Sequence, residues 1–251
     1  MIELKNFSCF YGKSDVVKDV SLKLSDGEVT GLLGANGCGK STLIKAICRR
    51  IQTTGECIID GAAAPTEPKD LARKLAYIPQ RCGVIISLSV LDVVLMGANS
   101  RTPAFADYSR DQRSEAAKIL RKFCDLPPDA DFLSLSEGQK QLVILARAFF
   151  QGSGNLLLDE PESALDFDNK HMIMERISTL AKEGKCIMLS LHDPTLALRY
   201  CSRLIFMKDG RVTGDIRPDS SSLSELEQLF HRLYTGIQLI QSGGRLILVK
   251  A

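Results

Sequence analysis

The chain has 251 residues, 45% of them apolar, and 32 Lys and Arg set against 30 Asp and Glu give a net charge of +2. That length allows one large domain or two small ones around a sizeable core, and the near-neutral balance offers no basic stripe for nucleic acid. No stretch approaches the ~18 apolar residues of a membrane span and the opening Met1 to Asn6 lacks a signal peptide's apolar run, so the expected location is the cytoplasm, with any membrane role supplied through a partner.

Strand-like segments at 2–8 and 16–24 come first. Val29 to Leu33, apolar and bounded by Gly27 and Gly34, reads as a buried strand. Residues 34–42, Gly-Ala-Asn-Gly-Cys-Gly-Lys-Ser-Thr, then fit G-x-x-x-x-G-K-[ST], the phosphate-binding loop of nucleotide hydrolases. Gly34, Gly37 and Gly39 let backbone N–H groups turn inward around a phosphate. The helical pattern that opens at Lys40 aims its positive dipole end at the same anion. Gly34, Ala35, Asn36, Gly37, Cys38, Gly39, Lys40, Ser41 and Thr42 are therefore the expected nucleotide contacts, with Lys40 near the β- and γ-phosphates and the Ser41 hydroxyl on Mg²⁺.

Strand-like segments recur at 57–60 and 75–78, and from about Arg81 to Phe150 the character turns helical. Val90 to Met96 is apolar but too mixed for a clean strand, 97–110 reads as a loop, and Asp111 to Phe123 puts Ala116, Ala117, Ile119, Leu120 and Phe123 on one helical face. Ser136, in Leu135-Ser-Glu-Gly-Gln139, stands where an N-cap belongs before a helix running to Phe150. Gly138 permits close backbone approach, so this helix start is a second anion site. Asn155 to Asp159 is an apolar strand ending in two acids, Asp159 and Glu160. Beside a phosphate loop, Asp159 is expected to help hold Mg²⁺ and Glu160 to polarise the attacking water.

Together with 155–159, the segments 186–191, 203–207 and 210–213 read as buried parallel strands. Ser222 to Glu225 forms a capping box ahead of Leu226, Leu229, Phe230 and Leu233. Ile237 to Val249, with Ser242-Gly-Gly244 at its middle, reads as a hairpin. The expected fold is α/β: a P-loop core with a mixed, mainly parallel sheet, an N-terminal antiparallel β subdomain and an inserted helical subdomain. The expected organisation is one domain, with 1–81 and 151–220 as nucleotide-binding core, 82–150 as helical insertion and 221–251 as a C-terminal helix and hairpin. The eight cysteines form no C-x-x-C pair and no zinc spacing, and are expected mostly as small buried hydrophobes in a reducing compartment. Cys38, beside a helix N-terminus, is the exception: a lowered pKa is expected to make it reactive, with alkylation inactivating and ATP protecting.

The order of these parts resembles the nucleotide-binding subunit of ATP-binding-cassette (ABC) transporters over nearly the whole chain. Leu135 to Gln139 is similar to the family signature LSGGQ, with Glu137 in place of the first paired glycine. Ala35 stands where the family most often has Pro, at a backbone-only position. The resemblance implies that Gln80 reaches Mg²⁺ and the attacking water, that Ser163-Ala-Leu-Asp166 is the D-loop, that His192 contacts the γ-phosphate and that Tyr11 stacks on adenine. It implies a homodimer or paired cassette sandwiching two ATP, with Ser136, Gly138 and Gln139 of one subunit facing the P-loop of the other. It further implies a separate integral permease on the cytoplasmic side of the cell membrane, docked at the apolar segment 84–96, and indirectly an extracellular substrate-binding protein. Leu95 to Pro103, Leu165 to Lys170 and His192-Asp-Pro resemble cassettes of iron–siderophore, haem and cobalamin uptake. Zinc, manganese or another small solute is the alternative cargo, and a soluble assembly ATPase, as for iron–sulfur clusters, is the alternative class.

Overall fold

The computed structural model describes residues 1–250 apart from Lys13, Cys82, Ala104, Phe105, Ala164 and Gly244. Expectations touching Cys82, part of the 97–110 loop, Ala164 and the second glycine of the C-terminal hairpin therefore lie outside the described residues.

Strands β1 (Ile2–Tyr11) and β2 (Ser14–Leu24) pair antiparallel, Ile2 opposite Leu24. After β3 (Val29–Leu33) and helix α1 (Lys40–Ile47), β4 (Gln52–Ile59) joins the free edge of β1 and β5 (Ala62–Ala63) completes a four-stranded antiparallel sheet in the order β2-β1-β4-β5. The strand expected at 57–60 thus begins at Gln52. Its first half, Gln-Thr-Thr-Gly, is polar because it is half-buried to exposed.

Helix α2 (Pro68–Lys74) leads into β6 (Leu75–Ile78). The helical block then holds α3 (Val90–Leu95), a 3₁₀ turn at Met96–Ser100, α4 (Arg110–Phe123) and α5 (Glu137–Phe150). Each of these α-helices starts on a serine whose hydroxyl accepts a backbone N–H: Ser89 from Asp92, Ser109 from Gln112 and Ser136 from Gln139. The apolar run at 90–96 forms a helix because Ser89 caps it. On α4, Ala116, Leu120 and Phe123 are buried, while Ala117 and Ile119 are half-buried.

The rest of the chain alternates strand and helix: β7 (Asn155–Asp159), α6 (Phe167–Lys182), β8 (Cys186–Ser190), α7 (Pro194–Tyr200), β9 (Arg203–Lys208) and β10 (Arg211–Ile216). Helix α8 (Leu223–His231), on its Ser222–Glu225 capping box, and the hairpin of β11 (Ile237–Ser242) with β12 (Arg245–Lys250) follow. The main sheet runs β10-β9-β3-β8-β7-β6. Five of its strands are parallel, and β10 is antiparallel to β9. This corrects the reading of 210–213 as a buried parallel strand: β10 returns from a tight turn at Asp209 (φ 50°) and Gly210 (φ 79°) and lies half-exposed at the sheet edge.

The central strands feed two cores by strict alternation. Leu156, Leu158, Ile187, Leu189, Leu204 and Phe206 pack with the helical block, α6 and α8. Leu157, Met188, Ile205 and Met207 face the other way, onto Leu43, Ile44 and Ile47 of α1 and Ile2, Leu4 and Leu24 of the antiparallel sheet. Helix α1 is thus pinned between two sheets, which fixes the loop in front of it.

At the edge, Arg203 is buried and bonds both oxygens of Asp215 while approaching Glu28 at 3.5 Å; Arg217 closes on Glu28 at 2.8 Å. Without Arg203 the buried Glu28 keeps only Arg217, and Asp215 must turn to water. Arg203→Ala is expected to cost about 3 kcal/mol of stability in denaturant melts, with a neutral result assigning the work to Arg217 alone.

Candidate functional site

The phosphate-type loop leaves the carboxyl end of β3, between β8 and β9, where crevices in open parallel sheets form. Gly39 caps α1 at φ 111° and Gly37 turns at φ 79°. A Cβ at position 34 would stand 2.4 Å from Met207 O and 2.5 Å from Cys38 Sγ, so only glycine lets the loop pass the end of β9. Lys40, 5% exposed, donates from Nζ to Gly34 O at 2.7 Å and to Ala35 O at 3.3 Å, so its charge is held inside the loop.

The acids at the end of β7 meet this loop from across the sheet. Ser41 Oγ donates to Asp159 Oδ1 at 2.7 Å, and Ser190 Oγ donates to the same oxygen at 2.9 Å. The Glu160 N–H in turn donates to Ser190 Oγ at 2.9 Å. Glu160 has φ 51°, a left-handed conformation that costs a non-glycine residue on the order of 1 kcal/mol or more and persists where surroundings over-determine it. The Gln80 amide donates to Glu160 Oε2, and His192 Nε2 stands 2.6 Å from Oε1. Both carboxylate oxygens are therefore engaged.

Asn36, Gly37, Gly39, Lys40, Ser41 and Thr42 line one wall of a cleft of about 330 Å³, and Gln80, Glu160 and His192 line the other. The arrangement suits a polyphosphate: a cationic, N–H-rich wall faces a carboxylate that can orient water. The oxygens of Ser41, Asp159 and the Gln80 side chain are hard donors of the kind that suits Mg²⁺, so the residues present fit that ion. Among the described residues no group of three or more His, Cys, Asp or Glu is placed to hold a metal alone.

Other expected residues lie apart from this cleft. Ser136 and Gln139 form a reciprocal capping box at the start of α5, leaving the Ser136 O–H free to donate. Gly138 is approached by the side chain of Asn169, which Asp166 holds. Their helix start borders a separate hollow of about 550 Å³ with Gln80, Glu137, Gln141 and Ser163 on its walls. Tyr11, at the end of β1, is 53% exposed and does not line the phosphate cleft. Cys38 is half-buried, packs against the apolar core beside α1 and is not among the residues that line the cleft. Among the other described cysteines, Cys9, Cys186 and Cys201 are buried and Cys48, Cys57 and Cys124 half-buried; burial pushes the thiols of Cys9, Cys57, Cys124 and Cys186 up to about 11 and that of Cys48 to about 12.

Two residues were not foreseen. Ser190, a hydroxyl in an apolar strand two positions before His192, joins Asp159 to Glu160. Glu162, 2% exposed, accepts the N–H of His192 at 2.9 Å. A polar residue interrupting a buried run was the available signal for the first. The second depends on a contact across 30 residues, which spacing does not encode.

A family model described as "ABC transporter" matches residues 17–163. The hemin import ATP-binding protein of Pseudomonas entomophila is 33% identical over 84% of this chain and 84% of its own length. A protein of Helicobacter pylori named "Probable iron chelatin transport ATP-binding protein" is 33% identical over 84% of this chain and 85% of its own length. Among solved structures, an ATP-binding subunit of an ABC transporter superposes with a TM-score of 0.77 at 27% identity, over 93% of this chain and 99% of that one. A dimeric post-hydrolysis cassette bound to ADP and Pi gives 0.75 at 28%, over 87% and 99%. With the loop, the two acids, the glutamine and the histidine assembled on a matching fold, the chain belongs to the ABC transporter family, as one of its ATP-hydrolysing cassettes.

Proposed function

We propose that this cassette powers the import of a metal chelate of the iron–siderophore, haem or cobalamin type, docked on a separate permease at the cytoplasmic face of the cell membrane. The observation that carries the enzymatic part is the convergence of Lys40, the Ser41–Asp159 pair and Glu160 on one cleft. The cargo rests on the relatives named for hemin and iron chelatin, each similar over most of its length.

In this reading the loop N–H groups and Lys40 hold the phosphates of ATP, and Tyr11 offers its exposed ring to the adenine. Ser41, Asp159 and Gln80 would hold Mg²⁺, which when bound neutralises phosphate charge. Glu160 orients water and takes its proton, with His192 and Gln80 setting where that carboxylate stands. Two cassettes, identical or related, close on two ATP, because Ser136 and Gly138 lie away from their own cleft and need a nucleotide held by another copy. ATP favours the closed pair through contacts that the open pair lacks, and hydrolysis removes them. The helical block 82–150 serves as the moving part that relays closure to the permease.

Ile85 and Ile86 are 86% and 61% exposed and follow Gln80 by a few residues, an apolar pair suited to a permease. The test is recovery of the tagged chain from detergent-solubilised native membranes with identification of what accompanies it. The expected result is a polytopic permease and, through it, a binding protein that names the cargo. The double change Ile85→Asp, Ile86→Asp is expected to lose the permease while ATP hydrolysis by the free cassette continues. Recovery of soluble partners alone, with the chain absent from membranes, supports an assembly ATPase instead.

A further inference from the structure

The turn after β7 carries a second acid for which the phosphate cleft has no use. Glu162 is 2% exposed. One of its oxygens accepts the His192 N–H, and the other, Oε2, is buried with no hydrogen-bond partner. An orphaned carboxyl oxygen is expensive, and an apolar side chain would fill the same space at lower cost. Burial raises its pKa, the N–H groups of His192 and of Glu162 itself oppose that rise, and the charge of Glu160 adds to it.

The position gives the expense a use. Ser163 N donates to Glu160 O and Leu165 N to Glu162 O, which ties the backbone on either side of Glu162. Gln141 of α5 donates to Pro161 O at 3.3 Å and ties this segment to the helix that follows Ser136. From here Glu160 meets the His192 ring and Glu162 meets the His192 backbone. One histidine is thus held at both ends by two acids of one rigid turn, in a closed circuit of contacts.

We propose that Glu162 is a positioning residue for ATP hydrolysis: by holding the His192 N–H it sets where the His192 ring stands against Glu160. The inference rests on the reading of Glu160 and His192 as the working pair. Any displacement of Glu160–Glu162, which Gln141 of α5 also grips at Pro161, would move the histidine with it.

The experiment measures kcat, KM and nucleotide affinity for Glu162→Met, Glu162→Gln, His192→Ala and the double variant Glu162→Met, His192→Ala. Supporting groups behind an active residue are worth about 10- to 100-fold in activity. Glu162→Met is expected to lose that factor in kcat, with KM and affinity within about threefold. Glu162→Gln keeps a carbonyl acceptor and is expected to recover most of the rate. Because Glu162 acts through His192, the double variant is expected to be no slower than His192→Ala alone. Glu162→Leu substitutes if Glu162→Met does not fold. The proposal is overturned if the Met variant turns over like wild type, if Gln fails to recover the rate, or if the two losses multiply. If His192→Ala itself is at wild-type kcat, it is the assignment of the working pair that fails, and with it the premise.

Discussion

Glu160→Gln is expected to bind ATP with near-normal affinity and to hydrolyse it about 10²–10⁴-fold more slowly, the range that a positioned general base contributes. The amide keeps the length of the side chain but exchanges one acceptor oxygen for a donor. Both oxygens are in use, Oε2 by the Gln80 amide and Oε1 by His192 Nε2, so the exchange sets donor against donor on one side. Nothing on the loop side changes: Lys40 and the Ser41–Asp159 contact remain. Binding and chemistry should therefore separate, and the variant should accumulate as an ATP-loaded dimer in gel filtration. Phosphate release and equilibrium nucleotide binding measure the two halves. Wild-type turnover would remove Glu160 from its role and leave water activation to the substrate's own phosphates.

Lys40→Ala should lower binding and chemistry together. It removes the buried ammonium aimed at the phosphates and the two bonds by which that ammonium holds the carbonyls of Gly34 and Ala35. Loss of one preorganised charge-stabilising donor costs about 10²–10³-fold in kcat, and here ground-state binding falls as well, since ATP carries its charge before reaction. Titration with a fluorescent ATP analogue, followed by turnover at saturation, reads both. Lys40→Arg separates charge from fit, because a planar fork does not reproduce a point charge inside a narrow loop. If Lys40→Ala binds and turns over normally, the helix dipole and loop N–H groups suffice.

The catalytic parts were legible in the sequence where chemistry is bound to fixed local spacing. The loop at 34–42 needs no tertiary information, and the acids at 159 and 160 follow an apolar strand that declares its own end. Strand direction was not legible from composition, since apolar runs look alike in either sense. The sign lay between the strands: Asp209-Gly210 is a two-residue hairpin turn with both φ positive, which forces β9 and β10 antiparallel. Polar edge segments such as Gln52 to Gly55 were missed because a half-exposed strand has no apolar run to show. Ser190 and Glu162 acquire meaning only when β8 lies beside β7, a fact of packing.

The strand order has a consequence for biosynthesis. The loop-bearing β3 (Val29–Leu33) is made well before both its neighbours, β8 and β9, which come from residues 186–208. A chain emerging from the ribosome therefore presents β3 with two unpaired edges until those later strands have been made, a state open to mispairing. The antiparallel sheet of β1, β2, β4 and β5, complete by Ala63, can shield α1 early. Tight nucleotide binding is therefore expected only once β8 and β9 flank β3, so ATP would fasten the assembled sheet and give a shorter nascent chain little support.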